Sequence, residues 1–356
     1  MRNYHRQICK NNNFPIKPMN QRYAILDYTR IMAAYLVVLG HLLPVSGNAV
    51  KSFIYSFHIS LFFFVSGMLH KYNGHIQLQK YIKTILIPAL FFYFGIGMLL
   101  SVMGYFSLFG MDYLSMYGIE KTNDLFISLC FSLWYDLKQL LIGNYGTNVP
   151  CWFLYALLIL KIYADICLKN KKTLIVCLLF CPVLFVFSKH IINPLSLGRA
   201  MFAFPFFLCG YYCKDIIIRF FDKLEKKKGF VLSIVFLAIT LCCLYFNHQP
   251  SYSALDFGIL PLPINIFVFY LAGLSGTFMV MSFCSKWDNF KIVQSFANSL
   301  ITIVGVQALF YKPFRGLYLG RDLNLGVLII VAVLFTLLCW LVHLILKRAV
   351  PFLIGK

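Results

Sequence analysis

Negative charge is nearly missing from this sequence. Its 356 residues include 12 Asp and Glu, and charged residues of both signs make up 12%. An average soluble domain is about 25% charged and about 45–50% apolar. Here hydrophobic residues reach 60% and aromatic residues 18%. A water-soluble fold of this size cannot bury so much apolar surface, so a soluble globular protein is excluded. The same composition excludes a disordered chain. No Gly/Ser linker and no internal repeat interrupts the pattern. Residues 1–22 are polar and basic, and the apolar run after them lacks a small-residue cleavage site. A cleaved signal peptide is therefore not expected.

Long apolar runs take the place of these missing features. A membrane-spanning helix needs roughly 20 mostly apolar residues. Ten such runs are read, near 24–43, 52–69, 82–104, 150–168, 172–189, 199–218, 229–247, 259–283, 291–311 and 324–346. The expected fold class is all-α: a polytopic membrane protein, a bundle of about ten transmembrane helices. The net charge of +20 could point to nucleic acid, but the 32 Lys and Arg punctuate the apolar runs and form no stripe. Nucleic acid is not expected as a partner. Placing the N-terminus inside puts most of these cations on one side, Lys214, Arg219, Lys223 and Lys226 to Lys228 among them. The positive-inside rule then makes both termini cytoplasmic in a multi-pass cell membrane protein. The organisation expected is a basic cytoplasmic tail over 1–22, one transmembrane domain over 23–348 and a cytoplasmic tail over 349–356.

The external loop, 105–149, mixes Trp134 and Tyr135 with Asp112, Glu120, Asp124 and Asp136. It reads as one or two interfacial or re-entrant amphipathic helices capping the bundle. The 12 cysteines lie mostly in or beside apolar runs, where Cys acts as a small hydrophobe. Cys177/Cys181 and Cys209/Cys213 are i,i+4 pairs, but no His or carboxylate accompanies them at ligand spacing, so no metal is expected.

Ionisable groups at membrane depth are costly and usually functional. The first run, AILDYTRIMAAYLVVLGHLL, holds Asp27, Arg30 and His41. Eleven residues at about 100° each bring His41 to within about 20° of Arg30's face, about 16 Å along the axis. Asp27, Ala34 and Val37 fall on the same broad stripe. One helix thus carries an acid–base pair near its cytoplasmic end and an imidazole near its external end, which suits a long, thin ligand with an anionic head. Plainer readings stand beside this one. Asp27 and Arg30 can be an entrance pair with Arg30 snorkelling, and His41 an interfacial histidine.

In the second run, YSFHISLFFFVSGMLH, His58 sits at nearly the depth of His41 and is either a catalytic partner or a structural group. Ser66-Gly67 reads as small-residue helix packing. Lys71, Lys80 and Lys83 offer cations at the cytoplasmic face, as phosphate ligands or as ordinary positive-inside charge. Arg199, Gln307 and Tyr311 bring polar groups to the external layer, and Trp152 is an interfacial anchor or an acceptor contact.

Together these segments resemble the membrane-bound acyltransferase 3 family, and most closely its fucose-4-O-acetylase-like members. The family's first helix, L-D-x-x-R-x(10)-H, is matched by Leu26, Asp27, Arg30 and His41. F-H-x-P-L-F-F-F-x-S-G is matched by Phe57, His58, Leu61 to Phe64, Ser66 and Gly67, with Ser60 in place of Pro. Lys80 and Lys83 stand for a basic pair before I-P, and Trp152-Phe153-Leu154 for W-F-L. The stretch around Ser196, Leu197, Arg199, Phe204 to Leu208, Gly210 and Tyr211 matches the sixth helix. Gln307 departs from a family His.

The resemblance implies an acyltransferase with no permanently bound cofactor and with acyl-CoA, most simply acetyl-CoA, as donor. The acceptor it implies is a hydroxyl of an external glycan or of its lipid-linked precursor. Arg30, Lys80 and Lys83 would hold the CoA phosphates, with Asp27 fixing Arg30. A neutral His41 would take the acceptor's proton. His58 or Arg199 would support the oxyanion, and Arg199, Trp152, Gln307 and Tyr311 would face the acceptor. Membrane lipids are the remaining partners, and a homo-oligomer is left open. A second reading uses the same buried charges in a secondary transporter or flippase for a lipid-linked glycan or small anion.

Overall fold

Only a chain that satisfies its own backbone hydrogen bonds survives in hydrocarbon, and helices do so segment by segment. The computed structural model describes residues 23–355 apart from 45–47, 111–112, 144, 191–192, 247–261, 286, 289 and 319–322. The tail at 1–22 lies outside the described residues. Within them every regular element is helical. The helices are α1 (Ala24–Leu42), α2 (Ala49–Tyr55), α3 (His58–Met68), α4 (Leu78–Tyr105) and α5 (Leu125–Ile142). They continue with α6 (Trp152–Cys167), α7 (Lys171–His190), α8 (Leu197–Lys223), α9 (Lys226–Phe246) and α10 (Leu262–Cys284). The chain closes with α11 (Lys291–Ala297), α12 (Leu300–Leu317) and α13 (Leu325–Ala349). Among the described residues nine helices are long and apolar enough to cross a membrane, or ten when α11 and α12 count as one bent span. The molecule is an all-α polytopic membrane protein.

Two of the ten apolar runs are broken, and short polar side chains explain where. The second run divides at Ser56, whose Oγ donates to the Phe53 carbonyl at 2.7 Å. The ninth bends by 49° after Ala297, where Ser299 Oγ donates to the Phe296 carbonyl at 2.6 Å. Side chains that bond the local backbone offer it an alternative to the next helical turn. Within α4, Pro88 supplies no N–H, and the helix widens into π-turns over Ile82–Leu86 and Phe91–Ile96 on either side of it.

α1 is the hub, packed against α3, α10, α11, α12 and α13. α3 and α8 cross at two glycines. A Cβ at Gly67 would collide with the Phe207 carbonyl, and one at Gly210 with the Phe64 carbonyl. This backbone-to-backbone approach is the small-residue packing that lipid-embedded helices use. Phe64 meets Phe278 and Phe206 meets Phe269 between α3, α8 and α10, while buried Phe63 and Phe204 pack on Phe153 and Tyr163 of α6.

The chain begins α1 at the end holding Asp27 and finishes it at the end holding His41. α5 then breaks the simple alternation. Tyr105, the last residue of α4, donates to the Asn123 carbonyl at 2.8 Å, and Arg199 near the start of α8 donates to the Gly143 carbonyl at 2.9 Å. α5 therefore starts and stops at the His41 end, although its length and composition would let it span. Asp124 caps its start by accepting from the Phe126 and Ile127 amides, and Gly143 at φ 75° ends it. Its polar stripe, Ser128, Ser132 and Asp136, is buried, while Phe126, Trp134 and Leu141 face outward.

Candidate active site

At the Asp27 end, Arg30 Nη1 lies 3.5 Å from Asp27 Oδ1. Asp27 is buried while Arg30 keeps part of its side chain open, 21% against 4%. Two more cations converge here. Lys80 donates to Gln77 Oε1 at 3.0 Å, and Lys161 from α6 lies over the Tyr81 ring at 5.9 Å, with Lys80, Asp165 and Arg30 as its charged neighbours. Lys83, one turn beyond Lys80, is exposed. Beneath the cations, buried Asp165 accepts from His70 Nε2 at 3.0 Å, the Gln77 amide at 3.1 Å and Tyr81 Oη at 2.7 Å. Burial pulls the imidazole of His70, just past the end of α3, down to about 4, with Lys161 adding to the effect and Asp165 opposing it. Lys161 and Asp165 are absent from the sequence-based site. Their signal was present, since they form an i,i+4 pair of opposite charges inside an apolar run.

At the opposite end His41 stacks on Tyr311, centroids 5.0 Å apart and planes 10° from parallel. No protein hydrogen bond occupies the His41 ring among the described residues. His58 opens α3 directly after the Ser56–Phe57 break, and its Nδ1 lies 2.8 Å from the Ile54 carbonyl. A carbonyl only accepts, so Nδ1 carries the hydrogen and a neutral His58 presents Nε2 as a lone pair. Tyr55 links the two histidines: its ring lies 4.9 Å from His58 and its hydroxyl donates to the Gly40 carbonyl at 3.3 Å. Lys51, Lys312 and Arg315 complete the charged surroundings of His41. In the sequence these three flank apolar runs, and only the fold brings them to the histidine.

Arg199 is held inside the protein. Its Nη1 donates to the Gly143 carbonyl at 2.9 Å and to Ser196 Oγ at 3.0 Å. Its guanidinium stacks on Tyr145 at 4.5 Å and on Trp152 at 5.2 Å. The Arg199 Nε–H is buried with no partner among the described residues. Gln307 is fully buried too: Nε2 reaches the Val304 carbonyl at 3.4 Å, and Oε1 has no partner among the described residues. Next to it Asn148 donates to the carbonyls of Phe92 and Gly305, both at 2.8 Å. The stripe joining Arg30 to His41 is closed by packing, with Ala34 fully buried and Val37 nearly so.

An apolar helical bundle with a cation cluster at one end and a histidine layer at the other, both touching one helix, is the build of a membrane protein that acts on a ligand. The family comparison makes the class specific. Residues 23–344 match the acyltransferase 3 family model, described as an acyltransferase domain, and the chain belongs to that family. It is a membrane acyltransferase. No curated protein and no solved structure matches it.

Proposed function

We propose that the protein is an O-acetyltransferase of the fucose-4-O-acetylase-like kind. In this reading it moves an acetyl group from cytoplasmic acetyl-CoA to a hydroxyl of an externally presented glycan, or of its lipid-linked precursor, in the cell membrane. One observation carries the reading: α1 holds the Asp27–Arg30 pair at one end and His41, with an unoccupied imidazole, at the other. The excess of Lys and Arg on the Asp27 side supports a cytoplasmic donor. Membership of an acyltransferase family favours an enzyme over the transporter reading.

Arg30, Lys80 and Lys161 take the CoA phosphates in this scheme, and exposed Lys83 meets them at the edge. His41 accepts the acceptor hydroxyl's proton as its oxygen attacks the thioester carbon. The C–O bond forms, the C–S bond breaks, and the imidazolium returns the proton to the departing thiolate. His58 Nε2 is the alternative base. The Arg199 Nε–H is the donor left over for the oxyanion, and Trp152, Gln307 and Tyr311 surround the acceptor. Because Ala34 and Val37 are buried, the pantetheine arm passes only when the neighbours of α1 move apart.

The test is reconstitution with labelled acetyl-CoA, following free CoA and label transfer with and without glycan acceptor. Acceptor-stimulated CoA release is expected, and His41→Ala should lower it about 100-fold or more, the usual worth of general base catalysis. Undiminished transfer by His41→Ala would remove His41 from the mechanism.

A further inference from the structure

Among the described residues no carboxylate pairs with Lys51 or Arg315 beside His41. Lys51 does not snorkel outward: its Nζ bonds the Leu43 carbonyl at 3.3 Å and lies 5.4 Å from the Tyr55 ring centroid, turned toward the histidines. Arg315 is half-buried on α12, one turn beyond Tyr311. Lys51 and Arg315 act on one another and on His41, together with Lys312 and His58. The carboxylate of Asp136 acts on Lys312. Its two oxygens already accept from the Thr147 amide and hydroxyl, both at 2.7 Å. Lys312 itself donates to Tyr117 Oη at 2.7 Å and to the Thr147 carbonyl. The ion pairs recorded among the described residues are Arg30–Asp27, His70–Asp165 and Lys228–Glu225, and none includes Lys51 or Arg315. Uncompensated cations at membrane depth are costly, and their missing counter-charge belongs to a ligand.

We propose that Lys51 and Arg315 form an oxyanion subsite beside His41, and that the acceptor is an anionic saccharide. It binds through a carboxylate or phosphate placed so that a nearby hydroxyl meets the histidine. This rests on the acyltransfer reading for its acceptor but not for its binding site. A sugar carboxylate and the diphosphate of a lipid carrier offer the same chemistry.

The experiment is equilibrium binding to the full chain in phosphatidylcholine nanodiscs without any CoA, so a failure of acyl transfer leaves it unaffected. The probes are trigalacturonate against its methyl ester and a polyprenyl diphosphate against the polyprenol. The wild type should prefer a charged probe to its neutral counterpart. Lys51→Gln and Arg315→Gln should each weaken that probe about tenfold, the scale of a lost charged hydrogen bond. Lys51→Arg should retain binding, and Lys223→Gln, at the opposite end, should behave as wild type. Preference for trigalacturonate assigns the anion to the glycan, and preference for the diphosphate assigns it to the carrier. Equal binding of charged and neutral probes would overturn the proposal. So would unchanged binding by Lys51→Gln and Arg315→Gln, with thermal melts confirming that both variants fold.

Discussion

At the scale of residues, the Asp27 end separates cations that converge from one that stands apart. Arg30, Lys80 and Lys161 share a neighbourhood, whereas Lys83, exposed like Lys80, is not among the charges around Lys161. Arg30→Ala and Lys161→Gln should each raise the KM for acetyl-CoA about tenfold with a smaller change in kcat, the signature of lost ground-state phosphate binding. Lys83→Gln should change it little, because Lys83 lies outside the group around Lys161 and its exposed charge is screened. Steady-state kinetics on the reconstituted enzyme checks all three.

His70 gives a pH dependence with a definite sign. Burial lowers its imidazole from 6.5 to about 4, so the unfolded chain binds more protons between those values. This stabilising contribution is present above the unfolded value and is lost as pH falls from about 6.5 toward 4. Thermal melts in detergent should show the transition dropping across that window, and His70→Asn should flatten the dependence.

At the scale of elements, where helices stop matters as much as where they run. The pause at Ser56 makes His58 the first residue of α3, with its ring turned back on the Ile54 carbonyl. The same carbonyl also accepts from the Phe57 amide at 3.3 Å, so it serves the turn and the ring together. The α3–α8 crossing depends on two missing side chains. Gly210→Val forces the helices apart at the Phe64 carbonyl and should cost about 1–3 kcal/mol or more, read as a lower melting temperature. Gly95→Ala is the control, because its added carbon meets only the Phe91 ring at ordinary contact distance, 3.7 Å. Gly67 was readable from the sequence as packing, because Ser66-Gly67 interrupts a run of Phe. Its partner Gly210 was readable only as a motif residue, since nothing local says which glycine faces which carbonyl.

At the scale of the whole molecule, the distribution of Lys and Arg predicts that the Asp27 end is cytoplasmic. A green fluorescent protein fused after Lys356 should fluoresce, and alkaline phosphatase fused after Lys121 should be active. The opposite pattern would invert the donor and acceptor sides. The ten apolar runs mapped onto helices with shifts of a few residues at most ends, because hydrocarbon imposes one length and one backbone solution. α5 has the length and composition of a span, yet the sequence reads 105–149 as an external capping segment, and the contacts with Tyr105 and Arg199 bring both of its ends to one side.

The sequence by itself determined the helical class, the positions of most apolar helices and the pairing of Asp27 and Arg30. Those depend on composition and on neighbours one turn apart, which a linear pattern encodes. The tertiary structure decided which cations meet which histidine. Lys51, Lys312 and Arg315 reach His41, and Lys161 reaches Arg30, from helices far apart along the chain. Such meetings are set by how helices cross, at contacts such as Gly67 on Phe207 and Gly210 on Phe64. The scarcity of acid, visible from composition alone, took on meaning only there: among the described residues, Lys51 and Arg315 sit beside a histidine with no carboxylate paired to them.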